Sequence, residues 1–195
     1  MRIIGGTAKG RKLFTPPLHE KCIRPTSDRA REALFNILGP RIEQATVLDL
    51  FAGTGAFGLE AFSRNARFVV FIDNNRLALQ LIKKNVLLCL NGYSGDGGMR
   101  VIQHDLSRDL PFNKLPVETH SGFDLIFADP PYDRNISTAA LELVNNSSLL
   151  RQNGLLIVEE RQNVELPSFL STLEQIDRRV YGEAAFCFYR SLGAA

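Results

Sequence analysis

The sequence predicts an α/β fold built on one mostly parallel β-sheet with helices on both faces. Apolar, strand-like runs alternate with helical stretches from residue 46 onward, a pattern typical of βαβ units. The last two strand-like runs are joined only by Gly182 and Glu183, so these two strands must pair antiparallel. The chain has 195 residues, of which 45% are hydrophobic, and this suits one domain with a full core. We therefore predict a seven-stranded sheet that ends in an antiparallel hairpin.

The N-terminal residues differ from the rest of the chain in charge and in predicted structure. Residues 1–23 are predicted to form a small basic β extension, because the Pro16-Pro17 pair excludes a helix and several glycines favour turns. Residues 24–195 are predicted to form the main domain, whose first helix is capped by Ser27 or Asp28. The apolar stripe of this helix consists of Ala30, Ala33, Leu34, Ile37 and Leu38.

Strands and helices then alternate along the main domain. The predicted strands are 46–51, 67–72, 99–103, 123–128, 154–158, 178–181 and 184–190. The predicted helices after the first are 54–64, 74–90, 136–145 and 168–174. Residues 91–98 follow no strand and contain no lysine, so we expect a glycine-rich connection there and not a phosphate-binding loop.

A glycine-rich turn follows the first predicted strand. Gly53, Gly55 and Gly58 have the G-x-G-x-x-G spacing of a nucleotide-binding turn between a strand and a helix. Glycine allows positive φ values and a close approach of the backbone to a ligand. The N-terminus of the following helix offers free N–H groups and a partial positive charge. A plain βαβ turn with no ligand is the alternative interpretation.

Two acids near this turn indicate which ligand it would bind. Asp73 ends the second strand twenty residues after Gly53, where an acid that binds a ribose is expected. Asp49 precedes Gly53 by four residues, and its carboxylate would repel a pyrophosphate but attract a cationic ligand. S-adenosylmethionine carries an ammonium, a sulfonium and a ribose. Residues 47–73 resemble the cofactor motifs of Rossmann-like class I methyltransferases, whereas a nicotinamide-dependent oxidoreductase would need room for phosphates near Asp49.

The fourth predicted strand runs directly into Asp129-Pro-Pro-Tyr132. Ligands of open parallel sheets bind beyond the carboxyl ends of the strands, near the reversal of strand order. The two prolines fix the backbone and remove two N–H donors, which leaves the Asp129 carboxylate and the Pro130 carbonyl as acceptors. Such a pair suits an exocyclic amine of a nucleobase, on which Tyr132 would stack with about 1–3 kcal/mol. The alternative is a proline turn that merely ends a buried strand.

This tetrapeptide resembles the D-P-P-Y motif of amino-methyltransferases that act on adenine N6, cytosine N4 or guanine N2. The motif therefore indicates an amine and not a particular base. A catalytically inactive RNA-binding assembly factor is a competing hypothesis, although it would not need Asp49, Asp73, Asp129 and Tyr132 together.

The distribution of charge indicates a polyanionic partner. Residues 1–31 contain eight basic and two acidic side chains and so carry a net charge of +6, while the whole chain carries +2. A basic arm on an acidic body suggests nucleic acid bound through the arm, and a solvated tail is the alternative. We predict RNA contacts from Lys9, Arg11, Lys12 and Arg24.

Several motifs, in this order, resemble the RsmD-type family of bacterial 16S rRNA guanine-N2 methyltransferases. They are Arg2-Ile-Ile-Gly-Gly with Lys9-Gly-Arg-Lys-Leu13, Arg24-Pro-Thr-Ser-Asp-Arg-Ala-Arg-Glu-Ala-Leu-Phe-Asn-Ile37, Asp49-Leu-Phe-Ala-Gly-Thr-Gly55, Asp129-Pro-Pro-Tyr132, and Tyr181-Gly182 with Tyr189-Arg190. The resemblance spans nearly the whole chain. It departs from the family in the glycine-rich segment 91–98 and the C-terminal Gly193-Ala-Ala, neither of which lies in a motif.

The resemblance implies S-adenosylmethionine as cofactor and 16S rRNA, or the assembling small ribosomal subunit, as partner. It implies that the basic segment holds RNA, that the Arg-Pro-Thr element lines the cofactor pocket, and that Asp105 at the end of the third strand faces the adenine. The full cofactor set predicted in this way is Arg24, Pro25, Thr26, Asp49, Phe51, Gly53, Gly55, Asp73, Asn74 and Asp105. The predicted catalytic residues are Asp129, Pro130 and Tyr132. An adenine-N6 methyltransferase of nucleic acid is the alternative activity.

Other features of the composition argue against several classes of protein. The three cysteines and three histidines are scattered without metal-ligand spacing, so we expect reduced thiols and no metal. Cys89 and Cys187 lie in apolar surroundings that suggest burial. No run of eighteen apolar residues and no signal-peptide pattern is present, and we expect a cytoplasmic, monomeric protein away from membranes.

Overall fold

One seven-stranded sheet organises the part of the chain that the computed structural model describes, namely residues 1–16, 28–90, 98–131 and 136–192. Its strands, in chain order, are β1 (Thr46–Leu50), β2 (Phe68–Asp73), β3 (Met99–Gln103), β4 (Phe123–Ala128), β5 (Leu150–Arg161), β6 (Leu173–Tyr181) and β7 (Ala184–Ser191). Their spatial order is β3-β2-β1-β4-β5-β7-β6. Strands β1 to β5 are parallel, and β7 is antiparallel to both of its neighbours. The predicted fold class is therefore confirmed.

Four α-helices in the described residues cover the two faces of this sheet. They are α1 (Asp28–Leu38), α2 (Ala56–Ser63), α3 (Arg76–Cys89) and α4 (Ile136–Asn145), with short 3-10 turns at Gly39–Ile42, Phe112–Lys114 and Val117–Thr119. Helices α1, α2 and α3 pack on one face, where the Phe57 and Phe127 rings stack with centroids 4.0 Å apart. Helix α4 packs on the other face through Leu141 and Val144. Because both faces are covered, the central strands are continuous apolar runs, and this made them easy to recognise in the sequence.

The buried face of α1 differs from the predicted stripe. Ala33 is half-buried and Ile37 is 41% exposed, whereas Arg31 and Phe35 are buried in their place. Residues 1–16 pack against this side of the helix, and one Arg31 nitrogen (Nη2) donates to the Arg2 carbonyl at 2.6 Å. Ala30, Leu34 and Leu38 are buried as predicted, and the other two positions were wrong because the N-terminal segment, and not the sheet alone, determines which side of α1 is covered.

The predicted helix at 168–174 is wrong. Residues 162–172 are irregular, and Leu173 begins the long strand β6, which pairs with β7 along nearly its whole length. Strand β5 likewise begins at Leu150, four residues before the predicted start. In both places pairing with a distant strand overrides the weak local preference of the sequence.

The glycine-rich residues 91–97 lie outside the described residues. The predicted burial of Cys89 and Cys187 is confirmed.

Residues 1–16 pack onto α2 and contribute Ile3, Ala8 and Leu13 to the same core as the sheet. The fully buried Glu60 carboxylate accepts hydrogen bonds from the backbone N–H groups of Ile4 at 2.7 Å and Gly5 at 2.8 Å. It also accepts a hydrogen bond from the Arg64 guanidinium at 2.7 Å. Glu60 therefore fastens the start of the chain to the helix that follows the glycine-rich turn. The boundary predicted between residues 23 and 24 falls outside the described residues.

Replacement of Glu60 by Ala should destabilise the fold substantially. The change leaves two partly buried backbone donors without their acceptor, and an unsatisfied buried group costs about 1–3 kcal/mol. We expect a loss of about 3 kcal/mol in the free energy of unfolding, measured by urea denaturation. Glu142→Ala, at an exposed position of α4, is the control and should change stability by at most about 0.5 kcal/mol. Equal effects of the two substitutions would contradict the role of Glu60.

Candidate active site

The turn between β1 and α2 has the backbone that its glycines require. Phe51, Gly53 and Gly55 have φ values of +57°, +55° and +77°, a region that residues other than glycine rarely adopt. A Cβ atom on Gly58 would lie 2.4 Å from the Phe71 ring. Gly58 therefore allows α2 to pack closely on β2, and the tight turn before it brings the start of α2 to the carboxyl end of β1.

Asp49 lies beneath this turn. The residue is only 2% exposed, and its Oδ2 accepts a hydrogen bond from the Gly58 N–H at 3.0 Å. Burial raises the pKa of Asp49 well above the usual aspartate value, the nearby charge of Asp73 adds to this rise, and the hydrogen bond from Gly58 opposes it. Asp49 therefore shapes the turn from below, and its contact with a bound cation stays a prediction.

Asp73, the last residue of β2, holds the turn from the side. Its Oδ2 accepts a hydrogen bond from the Gly53 N–H at 2.9 Å, and its Oδ1 accepts one from the Asn75 N–H at 2.8 Å. Each carboxylate oxygen can accept a second hydrogen bond. The half-buried carboxylate thus keeps capacity for the hydroxyl groups of a ribose beside the turn.

Asp105 and Asn74 lie at the neighbouring strand ends. Asp73 and Gln103 are partners in the β2–β3 ladder, so Asn74 and Asp105 follow at the same edge of the sheet. Asp105 accepts hydrogen bonds from the Ser107 hydroxyl at 2.7 Å and the Ser107 N–H at 3.1 Å. These hydrogen bonds hold the pKa of Asp105 below its usual range, so the group is a carboxylate at neutral pH. The structure thus brings three of the predicted cofactor residues together.

Asp129 follows β4 at the reversal of strand order, as predicted. Strand β1 lies between β2 and β4, and the Asp129 N–H approaches the Leu50 carbonyl at 3.4 Å. Pro130 is buried and Pro131 is exposed. The Asp129-Pro130 acceptors therefore stand beside the glycine-rich turn, at the sheet edge where ligands of parallel sheets bind.

A third acid near Asp129 was missed by sequence reasoning. Ala128 and Val158 are partners in the β4–β5 ladder, so the residues that follow them, Asp129 and Glu159, lie side by side, about 5 Å apart at Cα. Asp49 belongs to the same sheet face. In the sequence, Glu159 and Glu160 directly follow the apolar run of the fifth strand, and this pattern could have indicated an acid at the site. The neighbouring Glu160 points to the opposite face and accepts a hydrogen bond from the Ser137 hydroxyl.

This environment raises the pKa of Asp129 well above the usual aspartate value. The main cause is burial of the carboxylate, and the negative charges of Glu159, Asp49 and Glu160 add to it. A carboxylate with a raised pKa accepts a proton more readily. Asp129 is therefore suited to take hydrogen bonds, and then a proton, from an amine.

The remaining predicted site residues divide into two groups. Arg24, Pro25, Thr26 and Tyr132 lie outside the described residues. Lys9 and Lys12 are exposed, whereas Arg11 is half-buried and its Nη1 donates to the Leu88 carbonyl in the last turn of α3. Arg11 therefore has a structural partner that its basic character alone did not indicate.

Two features are absent from the part of the chain that the structure describes. None of the helices there is long and apolar enough to cross a lipid bilayer. No three His, Cys, Asp or Glu side chains among these residues are grouped so that they could hold a metal ion.

The strand order, the glycine-rich turn and the acceptor pair at the strand reversal define a Rossmann-like class I methyltransferase fold. Residues 1–190 match the model of the family described as Conserved hypothetical protein 95, and the chain belongs to this family. The Haemophilus influenzae protein named Ribosomal RNA small subunit methyltransferase D is 38% identical over 85% of this chain and 81% of its own length. The Escherichia coli protein of the same name is 35% identical over 97% of this chain and 89% of its own length. A solved structure of a Thermus thermophilus protein is 32% identical, has a TM-score of 0.76, and covers 96% of this chain and 98% of its own.

Replacement of Asp129 by Asn should stabilise the unliganded protein at neutral pH. The pKa of Asp129 is raised in the folded state, while an unfolded aspartate has a pKa of about 3.9. The folded chain therefore holds this proton more tightly, and wild-type stability falls as the pH rises from the unfolded pKa through the folded pKa. Asparagine does not ionise, so the gain in unfolding free energy should grow as the pH rises above the unfolded pKa of about 3.9.

The control for this measurement is Asp124→Asn at the other end of β4. Asp124 forms an ion pair with Arg151 at 2.6 Å and accepts a hydrogen bond from the Thr46 N–H at 2.7 Å. Its replacement should lower the melting temperature at neutral pH. A gain for Asp129→Asn that is larger at acid pH than at neutral pH would contradict burial of an unfavourable charge.

Proposed function

We propose that the protein transfers a methyl group from S-adenosylmethionine to the exocyclic N2 amine of a guanine in 16S rRNA of the small ribosomal subunit. The observation that carries this proposal is the Asp129-Pro130 acceptor pair beside the glycine-rich turn at the strand reversal. The relatives named as small-subunit rRNA methyltransferases support the same activity.

The described residues around the turn fit the proposed cofactor. Asp73 has spare acceptor capacity for the ribose hydroxyls, and Asp105 with Asn74 lies at the next strand end, on the side expected for the adenine. The backbone of Gly53 and Gly55 and the adjacent Phe51 would form the floor of the pocket. Arg24, Pro25 and Thr26 are proposed to line its remaining side. When bound, S-adenosylmethionine supplies an electrophilic methyl group on a sulfonium.

Asp129 and Pro130 would prepare the amine for attack. The lone pair of an exocyclic amine is delocalised into the ring, which makes the neutral amine a poor nucleophile. The Asp129 carboxylate and the Pro130 carbonyl would each accept one amine hydrogen and so localise the lone pair on nitrogen. Because the pKa of Asp129 is raised, its carboxylate would also take the proton that the amine releases when the new N–C bond forms and the methyl–sulfur bond breaks, with S-adenosylhomocysteine as the leaving group. Tyr132 is proposed to hold the base in place by stacking.

The partner in this proposal is 16S rRNA, free or in an assembling subunit. A target base must be unstacked before it can enter such a site, whether it is flipped from a helix or presented in a loop. Exposed Lys9 and Lys12, together with Arg24, would bind phosphates near the target. Methyl transfer from a sulfonium requires positioning and no Lewis acid, so we propose a metal-independent enzyme. We further propose that it acts as a monomer in the cytoplasm.

Asp73→Ala should weaken the binding of S-adenosylmethionine. Hydrogen bonds to a charged acceptor contribute about 1.5–3 kcal/mol, and calorimetry should show a loss of this size. Asp73→Asn keeps an acceptor for the Gly53 N–H but removes the charge and the second acceptor that the Asn75 N–H uses, so it should lose affinity with a smaller fall in melting temperature than Asp73→Ala. Glu43→Ala, at an exposed position near the amino end of β1, is the control. Unchanged affinity in both Asp73 variants, or appreciable NAD binding by the wild type, would overturn the cofactor assignment.

Nucleoside analysis after incubation with labelled cofactor tests the substrate. The separate substrates are unmodified small subunits, naked small-subunit rRNA, large-subunit rRNA and duplex DNA. We expect N2-methylguanosine from small-subunit material only, because the basic segment and the motif order resemble guanine-N2 enzymes of that subunit.

The Asp129→Ala variant should form no methylated product in the same assay while it keeps its affinity for the cofactor. N6-methyladenine from DNA would favour the alternative activity, and no product from any substrate would favour an inactive RNA-binding factor.

A further inference from the structure

Phe14 is an exposed aromatic side chain on a rigidly held backbone. Half of the residue (50%) is exposed to solvent. Its N–H donates to the Asn85 Oδ1 at 2.7 Å, and its carbonyl accepts from the Asn85 Nδ2 at 3.1 Å. Asn85 is fully buried in α3, so these two hydrogen bonds fix the Phe14 backbone against the helix. The side chain therefore stays partly in contact with water. A ligand that covered this apolar surface would gain the hydrophobic stabilisation that folding leaves unused.

One ammonium group lies over the ring, and a second exposed lysine is expected on the same side of the segment. The Lys84 ammonium lies 6.0 Å from the centre of the Phe14 ring. Lys12 is exposed and precedes Phe14 by two residues in an extended segment, so both side chains project to the same side. Arg11 and Leu13, which alternate with them, are half-buried and buried. Neither residues 9–16 nor residues 83–88 include an acid. We call Lys12, Phe14 and Lys84 the Phe14 platform.

The Phe14 platform lies close to the proposed cofactor site. Asn85 uses its third hydrogen bond to reach the Thr54 carbonyl in the glycine-rich turn, at 2.9 Å. One buried side chain thus separates the Phe14 backbone from the turn. A nucleic acid whose target base enters the site beside the turn would have its neighbouring nucleotides within reach of this surface.

We propose that the Phe14 platform binds an unpaired nucleotide of the RNA substrate, with the base stacked on the Phe14 ring and its phosphates paired with Lys12 and Lys84. This inference rests on the proposed function, because it adds a stacked base and a phosphate contact from Lys84 to the RNA contact already proposed for Lys12. A flat ring accepts any base, and flanking ammonium groups neutralise the backbone on either side. One ring among lysines offers too little apolar area for a protein partner of ordinary interface size.

Substitutions of Phe14 test whether its ring contributes to RNA affinity without affecting folding or the affinity for the cofactor. Phe14→Ala should weaken the binding of single-stranded small-subunit rRNA fragments about 5- to 150-fold in fluorescence anisotropy, as loss of one stacked base implies. Phe14→Leu, which keeps an apolar side chain, should weaken it similarly, whereas Phe14→Trp should bind like the wild type. Phe112→Ala removes a ring of matched exposure, 52%, on the segment between β3 and β4 and is the control. The melting temperature and the affinity for S-adenosylmethionine of the three Phe14 variants should stay at their wild-type values.

The salt dependence of binding tests the two lysines. Lys12→Ala and Lys84→Ala should each reduce the slope of log affinity against log salt by about one, since each removes one phosphate contact. Wild-type RNA affinity in Phe14→Ala, or equal losses in Phe14→Ala and Phe112→Ala, would overturn the platform.

The two proposals can fail separately. If the protein methylates small-subunit rRNA and Phe14→Ala changes neither RNA affinity nor turnover, the proposal for the Phe14 platform is wrong and the proposed activity stands. If RNA binding depends on Phe14 but no methylated product forms, the proposed activity is wrong and the proposal for the Phe14 platform stands.

Discussion

Carboxylates gathered at one buried edge of the sheet are the constraint on which the rest of the site depends. Asp49, Asp129 and Glu159 come from three adjacent strands and belong to one face. Burial raises the pKa of Asp49 and of Asp129, so their charged forms oppose folding. The ladder of parallel strands and the aromatic packing of α1 and α2 hold these groups together in spite of this cost. The same environment makes Asp129 a stronger proton acceptor, so the cost to stability and the capacity for chemistry have one origin.

The glycine-rich turn is held from two sides by groups that also contact other parts of the chain. Asp73 connects the Gly53 N–H to the start of α3, and Asn85 connects the Thr54 carbonyl to the N-terminal segment. The segment is therefore continuous with the site and is more than a charged appendage. The +6 charge of residues 1–31 also overstates the cationic surface that RNA could contact, because Arg31 in α1 is buried and Arg11 donates a hydrogen bond to the end of α3. Within residues 1–16, Arg2, Lys9, Lys12 and Phe14 remain as exposed side chains that RNA could contact.

The sequence predicted those parts of the structure that depend on local pattern. Strands β1 to β4 and the glycine-rich turn were recognised because buried parallel strands are continuous apolar runs and because the turn requires glycine at fixed spacing. The start of β5, the strand that replaced the helix at 168–174 and the buried side of α1 depend on contacts between distant segments. Glu159 and Asn85 were missed for the same reason: the position of Glu159 follows from strand register, and Asn85 bonds to Phe14 across 71 residues. Local pattern carries no information on either contact.

The attachment of residues 1–16 limits how their contribution to activity can be studied. Ile3, Ala8 and Leu13 are part of the main core, and the buried Glu60 carboxylate has two of its donors in this segment. A shortened chain that began after residue 16 would expose core side chains and leave a buried negative charge with fewer partners. Loss of methylation by such a chain would therefore report a damaged fold and would say nothing about RNA contacts. Single replacements of outward-facing side chains, and affinity tags placed at the C-terminus, are the informative choices for this molecule.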